Sequence, residues 1–279
     1  YPNIYKKEEI FRQEGWNYHL EQKEGPLKYN GVVYNEMKGA FSSPDEVLER
    51  EIMNHLFPDT TYGCESGGDP KNIPDLTYEN FLNFHRTYYH PSNSYIYLYG
   101  NMDMEEKLAF LDEHYLSHFD YLDVDSVIQE QKEFGACRDV TLEYPVAENE
   151  GEEDNTYLSY NMVVGNAADS QMAMAFEVLD YALLSAPGAP LKQALLDVKA
   201  GKDVYGSYDD GILQPYFTVI AKGSNPDRKE EFVSVIRQVL GDIVKNGIDQ
   251  KAVEAGINYF EFRYREADFS SYPKGLMYS

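Results

Sequence analysis

Beyond Cys137 the spacing of apolar residues changes period in a fixed order, and that order leaves few architectures open. RDVTLEYPV and NTYLSYNMVV read as strands around the acidic loop Glu148–Asp154. Helical spacing follows over 169–185 and from Pro190 to Lys199, then strand patterns in VYGSYDD and QPYFTVIAKG, then helices over 226–246 and 249–266. Strands and helices in this succession predict an α+β domain with an antiparallel or mixed sheet and helices packed on one face.

The first half carries a similar but less complete order. IYKKEEIFRQ (4–13) reads as a short helix stopped near Gly15, and Trp16, Tyr18 and Leu20 then alternate with polar residues as a strand does. GVVYNEMKGA predicts a helix to about Ala40, broken at Ser42-Ser43-Pro44. A second helix through Phe57 has Ser43 as N-cap and Asp45 and Glu46 near its positive end. A loop dense in Gly, Pro and Asp leads to a helix capped by Thr77 and ended by the His90-Pro91 turn. Ser94–Gly100 (SYIYLYG) reads as a strand, and 103–118 as a helix with Leu108, Leu111 and Tyr115 on one face. Residues 119–136 are polar and acidic, which places a linker there. The matching order of the two halves suggests a duplicated fold, although no strict repeat is present.

The apolar share of 43% and the aromatic share of 14% are those of a folded chain, and 25 tyrosines against one tryptophan put many amphipathic rings at half-buried positions. The formal charge of −24, from 48 acids and 24 bases, repels phosphate backbones, so nucleic acid is excluded as a partner; basic peptides or metal ions suit it, as does a merely solvated surface. Cys64 and Cys137 lie far apart, which excludes a disulfide framework and a cysteine zinc site and reads as two free thiols in a reducing compartment. No apolar run approaches the roughly 18–20 residues that span a bilayer, so no membrane is expected as a partner, and no signal peptide opens the chain. Both ends fall in patterned sequence, without an initiator methionine at Tyr1, and are expected to be cut points in a longer polypeptide.

Chemistry is sparse. Among the six histidines there is no HExxH or HxxEH pair. His114 and His118 are spaced i, i+4 and could share a helix face, but they also suit a helix C-terminus, where cationic groups are favoured. His85 and His90, five apart, do not share a face. Gly67-Gly68-Asp69-Pro70 and Asp209-Asp210-Gly211 are turns, and the run 148–154 lacks the ligand alternation of a calcium loop. Glu36 stands out because GVVYNEMKG reads as an apolar helix. A carboxylate there is paired, set at a wet helix edge, or bound to a metal, and composition alone leaves these open.

GVVYNEMKGAFSSP, together with TYGCESGGDPKNIPDLTYENFLNFHRTYYHPSNSYIYLYGN, closely resembles the presequence-protease branch of the insulinase/pitrilysin zinc peptidases. FRQEGW and YPKGL are similar too, so the resemblance runs through the chain and is strongest over 11–101. It implies insulinase-type domains: 1–120 as the C-terminal part of the catalytic domain, 121–136 as linker, and 137–279 as most of a second, non-catalytic domain of the same fold. Family members bind one Zn2+ through HxxEH, whose glutamate is the general base, and through a glutamate well downstream. The resemblance assigns that downstream ligand to Glu36 and places HxxEH before residue 1, so no catalytic base is expected within this chain. Some relatives carry a further glutamate seven residues before the ligand, where Tyr29 stands here. The family implies a clamshell chamber that degrades unfolded peptides, in a bacterial cytoplasm or an organellar matrix, with the remainder of the polypeptide as partner. The alternative is a non-catalytic scaffold or peptide-holding member of the same fold; an acidic extracellular binding module is a third, weaker reading.

Overall fold

In the computed structural model, which describes residues 3–147 and 151–277, the chain partitions into two units that are not continuous in sequence. One comprises the residues up to Arg50, Cys64–Gln129 and the stretch from Gly275; the other comprises Glu51–Gly63 and Glu130–Lys274.

In the first unit, helix α1 (Glu8–Glu14) opens with Glu8 and Glu9 against its dipole and stops at Gly15, whose N–H donates to the Phe11 carbonyl at 2.8 Å. Strands β1 (Asn17–His19) and β2 (Lys28–Asn30) pair antiparallel, with Tyr18 opposite Tyr29 and their rings stacked at 5.5 Å. Helices α2 (Val32–Ala40) and α3 (Pro44–Leu56, of which residues to Arg50 belong to this unit) fall where the Ser-Ser-Pro break divides them, and the Ser43 carbonyl accepts the Val47 N–H at 3.0 Å. Helix α4 (Tyr78–Tyr88) starts on a reciprocal cap: the Asn80 N–H donates to Thr77 Oγ1 and the Thr77 N–H to Asn80 Oδ1, each at 3.1 Å. Helix α5 (Met104–His114) is capped by Asp103. A small core of Phe11, Trp16 and Ile73, with Val33, Tyr34, Met37 and Tyr78 against it, holds α1, α2 and α4.

The strand expected at Ser94–Gly100 does not form, while the helix expected from Asp103 forms and ends at His114. Ser94–Gly100 forms no ladder among the described residues, and Tyr95, Ile96, Tyr97 and Tyr99 are exposed. On α5, Leu108 and Tyr115 are exposed as well. An alternating or amphipathic pattern shows that a face suits burial; it does not supply the surface that covers it.

The second unit is built on a three-stranded antiparallel sheet in the order β3 (Thr156–Val163), β5 (Tyr216–Ser224), β4 (Asp203–Asp209). Strand β5 is central, and Tyr216–Ala221, apolar apart from Thr218, is buried on both faces. Helix α6 (Ser170–Asp180) passes into a π-helical turn, Tyr181–Ser185, followed by α7 (Pro190–Asp197), then α8 (Lys229–Asn246) and α9 (Gln250–Glu266) after the sheet. Leu183, Leu184, Leu191, Leu195, Phe232 and Ile236 meet Leu158, Val204, Phe217, Val219 and Ala221 in one core. Gly206 on β4 is obligatory, since a Cβ there would lie 2.5 Å from Leu184 Cδ1 and 2.2 Å from the Thr218 carbonyl oxygen.

Residues 51–63 group with this unit because Phe57, wholly buried, sits edge-on to Tyr62 and to Tyr216 on β5. Tyr62 accepts the Leu213 N–H at 3.2 Å, and Asp59 pairs with the buried Gln131 through its backbone N–H and Oδ2. Residues 138–146, expected as a strand, pair with no strand among the described residues: Val140, Leu142 and Val146 are exposed, and side chains hold the segment, Tyr144 against Tyr157 and Asp139 with Lys229. Of the acidic run, Glu148–Glu150 lies outside the described residues. Its last member, Asp154, is pinned by Asn225 Nδ2 at 2.7 Å and by Lys202 at 3.3 Å, which hold its carboxyl below the usual range.

Candidate metal-ligand site

Glu36 takes its position from the start of α2. Gly31 has φ +148°, and a Cβ on it would lie 2.3 Å from the Gly15 carbonyl oxygen, so only glycine lets the two backbones pass this closely. The same carbonyl accepts the Tyr34 N–H at 3.2 Å, and Trp16, one residue on, donates through Nε1 to the Leu76 carbonyl at 2.8 Å. Val33, Tyr34 and Met37 turn inward, and Met37 fills the space that a side chain at Gly67 would need. Asn35 Nδ2 donates to Asn30 Oδ1 at 2.8 Å, tying the outer side of α2 back to β2.

Glu36 therefore lies on the exposed side of a half-buried helix, and α2 contains no fully buried residue. This corrects the reading of an apolar core helix: Val33, Tyr34 and Met37 alone meet the core, and the carboxylate faces outward. It has no hydrogen-bond or ion-pair partner among the described residues.

A zinc site of the catalytic kind takes three protein donors and leaves a fourth position open. Among the described residues no group of three or more His, Cys, Asp or Glu side chains is placed to hold a metal, with Glu36 or without it. Three of the histidines make other contacts. Tyr5 Oη and His85 Nδ1 share a hydrogen bond at 2.5 Å, and His90 accepts the Ser92 N–H. His114 packs on Phe110 at 4.6 Å; α5 ends between it and His118, where Tyr115 has φ −139° and ψ −67°, so the i, i+4 register is lost. Cys64 and Cys137 are free and exposed.

The sequence reading missed a group of carboxyls on α6. Tyr264 Oη donates to both oxygens of Glu177, at 3.0 and 3.1 Å, and Ser185 Oγ to Asp180 Oδ2 at 3.4 Å. Asp180 Oδ1 is buried with no hydrogen-bond partner among the described residues. Burial pushes the Asp180 carboxyl up to about 6, the Ser185 hydroxyl opposing it weakly, and burial also raises Glu177 against the pull of Tyr264. The visible signal was two acids three residues apart in the otherwise apolar stretch MAMAFEVLDYALL.

Residues 75–260, more than half of the chain, match the family described as the peptidase M16 inactive domain. The chain belongs to the M16 peptidase family. It is 52% identical over 278 residues to protein HypA of Clostridium perfringens (strain 13 / Type A), covering 100% of this chain and 29% of that protein. It is 37% identical over 280 residues to presequence protease 1, chloroplastic/mitochondrial, of Arabidopsis thaliana, covering 99% and 26%. The chain thus spans between a quarter and a third of the length of these relatives. The M16 inactive domain from Pseudomonas fluorescens shares the fold with a TM-score of 0.59 at 18% identity, over 86% of this chain and 55% of that one. A putative M16-like peptidase from Alicyclobacillus acidocaldarius does so at 0.55, 18%, 84% and 55%. No helix among the described residues is long and apolar enough to cross a membrane.

Proposed function

We propose that this chain is part of a zinc-dependent oligopeptidase that degrades unfolded peptides in an enclosed chamber, and that Glu36 is its contribution to the metal site. The observation that carries the reading is an outward-facing carboxylate with no partner among the described residues, on a helix whose opposite side is anchored by Tyr34, Met37 and the Gly31–Gly15 crossing. Likeness to a presequence protease along the whole chain supports the peptidase class. Bound zinc supplies Lewis-acid activation of a water and of the scissile carbonyl. Glu36 supplies one anionic donor, and α2 keeps that donor oriented; the two histidine donors and the general base are assigned to the HxxEH element expected upstream. Residues 1–120 then belong to the catalytic domain and 137–279 to the chamber wall. The −24 charge favours basic over acidic peptides, and the free thiols fit a bacterial cytoplasm or organellar matrix.

Replacing Glu36→Gln in the full-length protein and measuring bound zinc together with peptidase activity tests the assignment. Loss of both is expected; full metal content with full activity removes Glu36 from the site. The description of residues 75–260 as an inactive domain favours a second reading, a peptide-holding member without chemistry. Reading HxxEH, or its lack, in the parent sequence separates the two.

A further inference from the structure

We propose that the recess between Trp16 and the turn Ile73–Asp75 is a binding site for a cationic side chain, arginine above all, in which the Asp75 carboxylate receives the charge and the Tyr18 ring takes the planar face. The site stands apart from the zinc assignment and does not depend on it.

All of its walls lie in the first unit. An open hollow of about 370 Å³ is lined by Trp16, Tyr18, Pro74, Asp75, Leu76 and Arg12. Trp16 is buried, and its Nε1 donates to the Leu76 carbonyl at 2.8 Å, which joins the two sides. Ile73 is buried in the same small core as Trp16. The Asp75 and Leu76 N–H groups donate to the Asn72 and Ile73 carbonyls at 3.0 and 3.1 Å, so the turn that presents the carboxylate is itself held. Trp16 meets Tyr18 and Tyr29 edge-on at 5.5 and 5.8 Å, and Tyr29 stacks on one face of Tyr18. Tyr18 is nonetheless 61% exposed, so much of its ring is open to a ligand.

Charge selects the occupant. Arg12 lies over the Trp16 ring at 5.5 Å, but its Nε and Nη2 both donate to Glu8 Oε1, at 3.0 and 2.9 Å, so its charge is answered within α1. Asp75 is not answered: its carboxylate has no hydrogen-bond or ion-pair partner among the described residues. The start of α4 does not use it either, since Thr77 and Asn80 already form the cap there. Tyr18, then lost hydration and then Asp75 hold the Tyr29 hydroxyl above its ordinary range, so the Asp75 field reaches the ring pair. The recess thus joins one unpaired negative charge to aromatic rings, and a guanidinium satisfies both, donating to the carboxylate while stacking on a ring. An anionic side chain would be repelled by Asp75, with Arg12 already engaged, and a neutral one would leave the carboxylate unpaired.

The test is a saturation-transfer NMR titration of the full-length protein with N-acetyl-arginine methylamide and with its citrulline counterpart, which has the same shape without the charge. Run in the presence of a chelator, it succeeds or fails separately from the peptidase reading. The wild type is expected to bind the arginine compound about fivefold to tenfold more tightly than the citrulline compound, the combined worth of one exposed ion pair and one cation–π contact. Asp75→Asn should lower that ratio to about threefold or less, the part left to the ring. Tyr18→Leu, which keeps the carboxylate, should weaken arginine binding by about threefold. Equal binding of the two compounds by the wild type overturns the proposal. So does an Asp75→Asn protein that keeps the whole preference, because the attraction would then belong to the −24 surface at large. Should Asp75→Asn disturb the turn, seen as lost exchange protection over 73–77, the decision rests on Tyr18→Leu, and arginine binding unchanged in that variant overturns the proposal as well.

Discussion

Replacing Gly31→Ala should dislodge the helix that carries Glu36. The φ of +148° lies in backbone territory that side chains avoid, at a cost of about 1–3 kcal/mol. The new Cβ would also stand 2.3 Å from the Gly15 carbonyl oxygen and 2.8 Å from the Trp16 Cα, both backbone atoms that cannot swing aside. Forcing such an overlap costs roughly another 1–3 kcal/mol, and the relief available is to move the start of α2, giving up the Tyr34 to Gly15 hydrogen bond. A combined loss of about 3 kcal/mol corresponds to about a hundredfold faster exchange of the α2 amides. Hydrogen exchange on the full-length protein reads this directly. Gly39→Ala in the same helix is the control, because no atom lies within 4 Å of the Cβ it would add. It should slow exchange by a few-fold, reflecting the roughly 0.5–1 kcal/mol that alanine gains over glycine in a helix. Wild-type exchange of α2 in the Gly31→Ala protein would refute the close-crossing argument, and with it the account of how Glu36 is placed.

Two further perturbations report on the scaffold. Leu191→Ala empties a wholly buried position on α7 and should destabilise the second unit by about 2–5 kcal/mol, seen as a lower urea midpoint for the transition that exposes β5. Thr77→Ala removes half of the reciprocal cap on α4 and should cost about 1 kcal/mol, with faster exchange confined to the first turn of that helix.

Local punctuation was legible in the sequence. Ser42-Ser43-Pro44 divides α2 from α3, Thr77 starts α4, and the second-unit order from β3 through α9 follows the apolar spacing to within a few residues. Strand β2 was not legible: Lys28-Tyr29-Asn30 has no apolar alternation, and its pairing depends on Tyr18 meeting Tyr29 across the hairpin. Ser94–Gly100 and 138–146 show the converse, a pattern that suits a strand without a neighbour to pair with it among the described residues. Glu36 was singled out through resemblance, but its outward aim depends on which of its helix neighbours meet Phe11 and Trp16, and spacing alone did not give that. Asp180 was passed over because a period near 3.6 counts apolar residues and is blind to a widened turn and to the dryness it creates around a neighbouring acid.

Phe57 gives the second unit an ancestry its sequence span hides. The ring that closes over Tyr216 is made more than seventy residues before the stretch beginning at Glu130, so the sheet is finished by chain synthesised long before it. A polypeptide beginning at Cys137 would keep all three strands and every helix from α6 onward, yet lose Phe57 from Tyr216 on β5 and lose the Gln131–Asp59 pair altogether. The piece that behaves as a unit is therefore the one that carries residues 51–63 with it, and a tidy cut before Cys137 is the one to avoid.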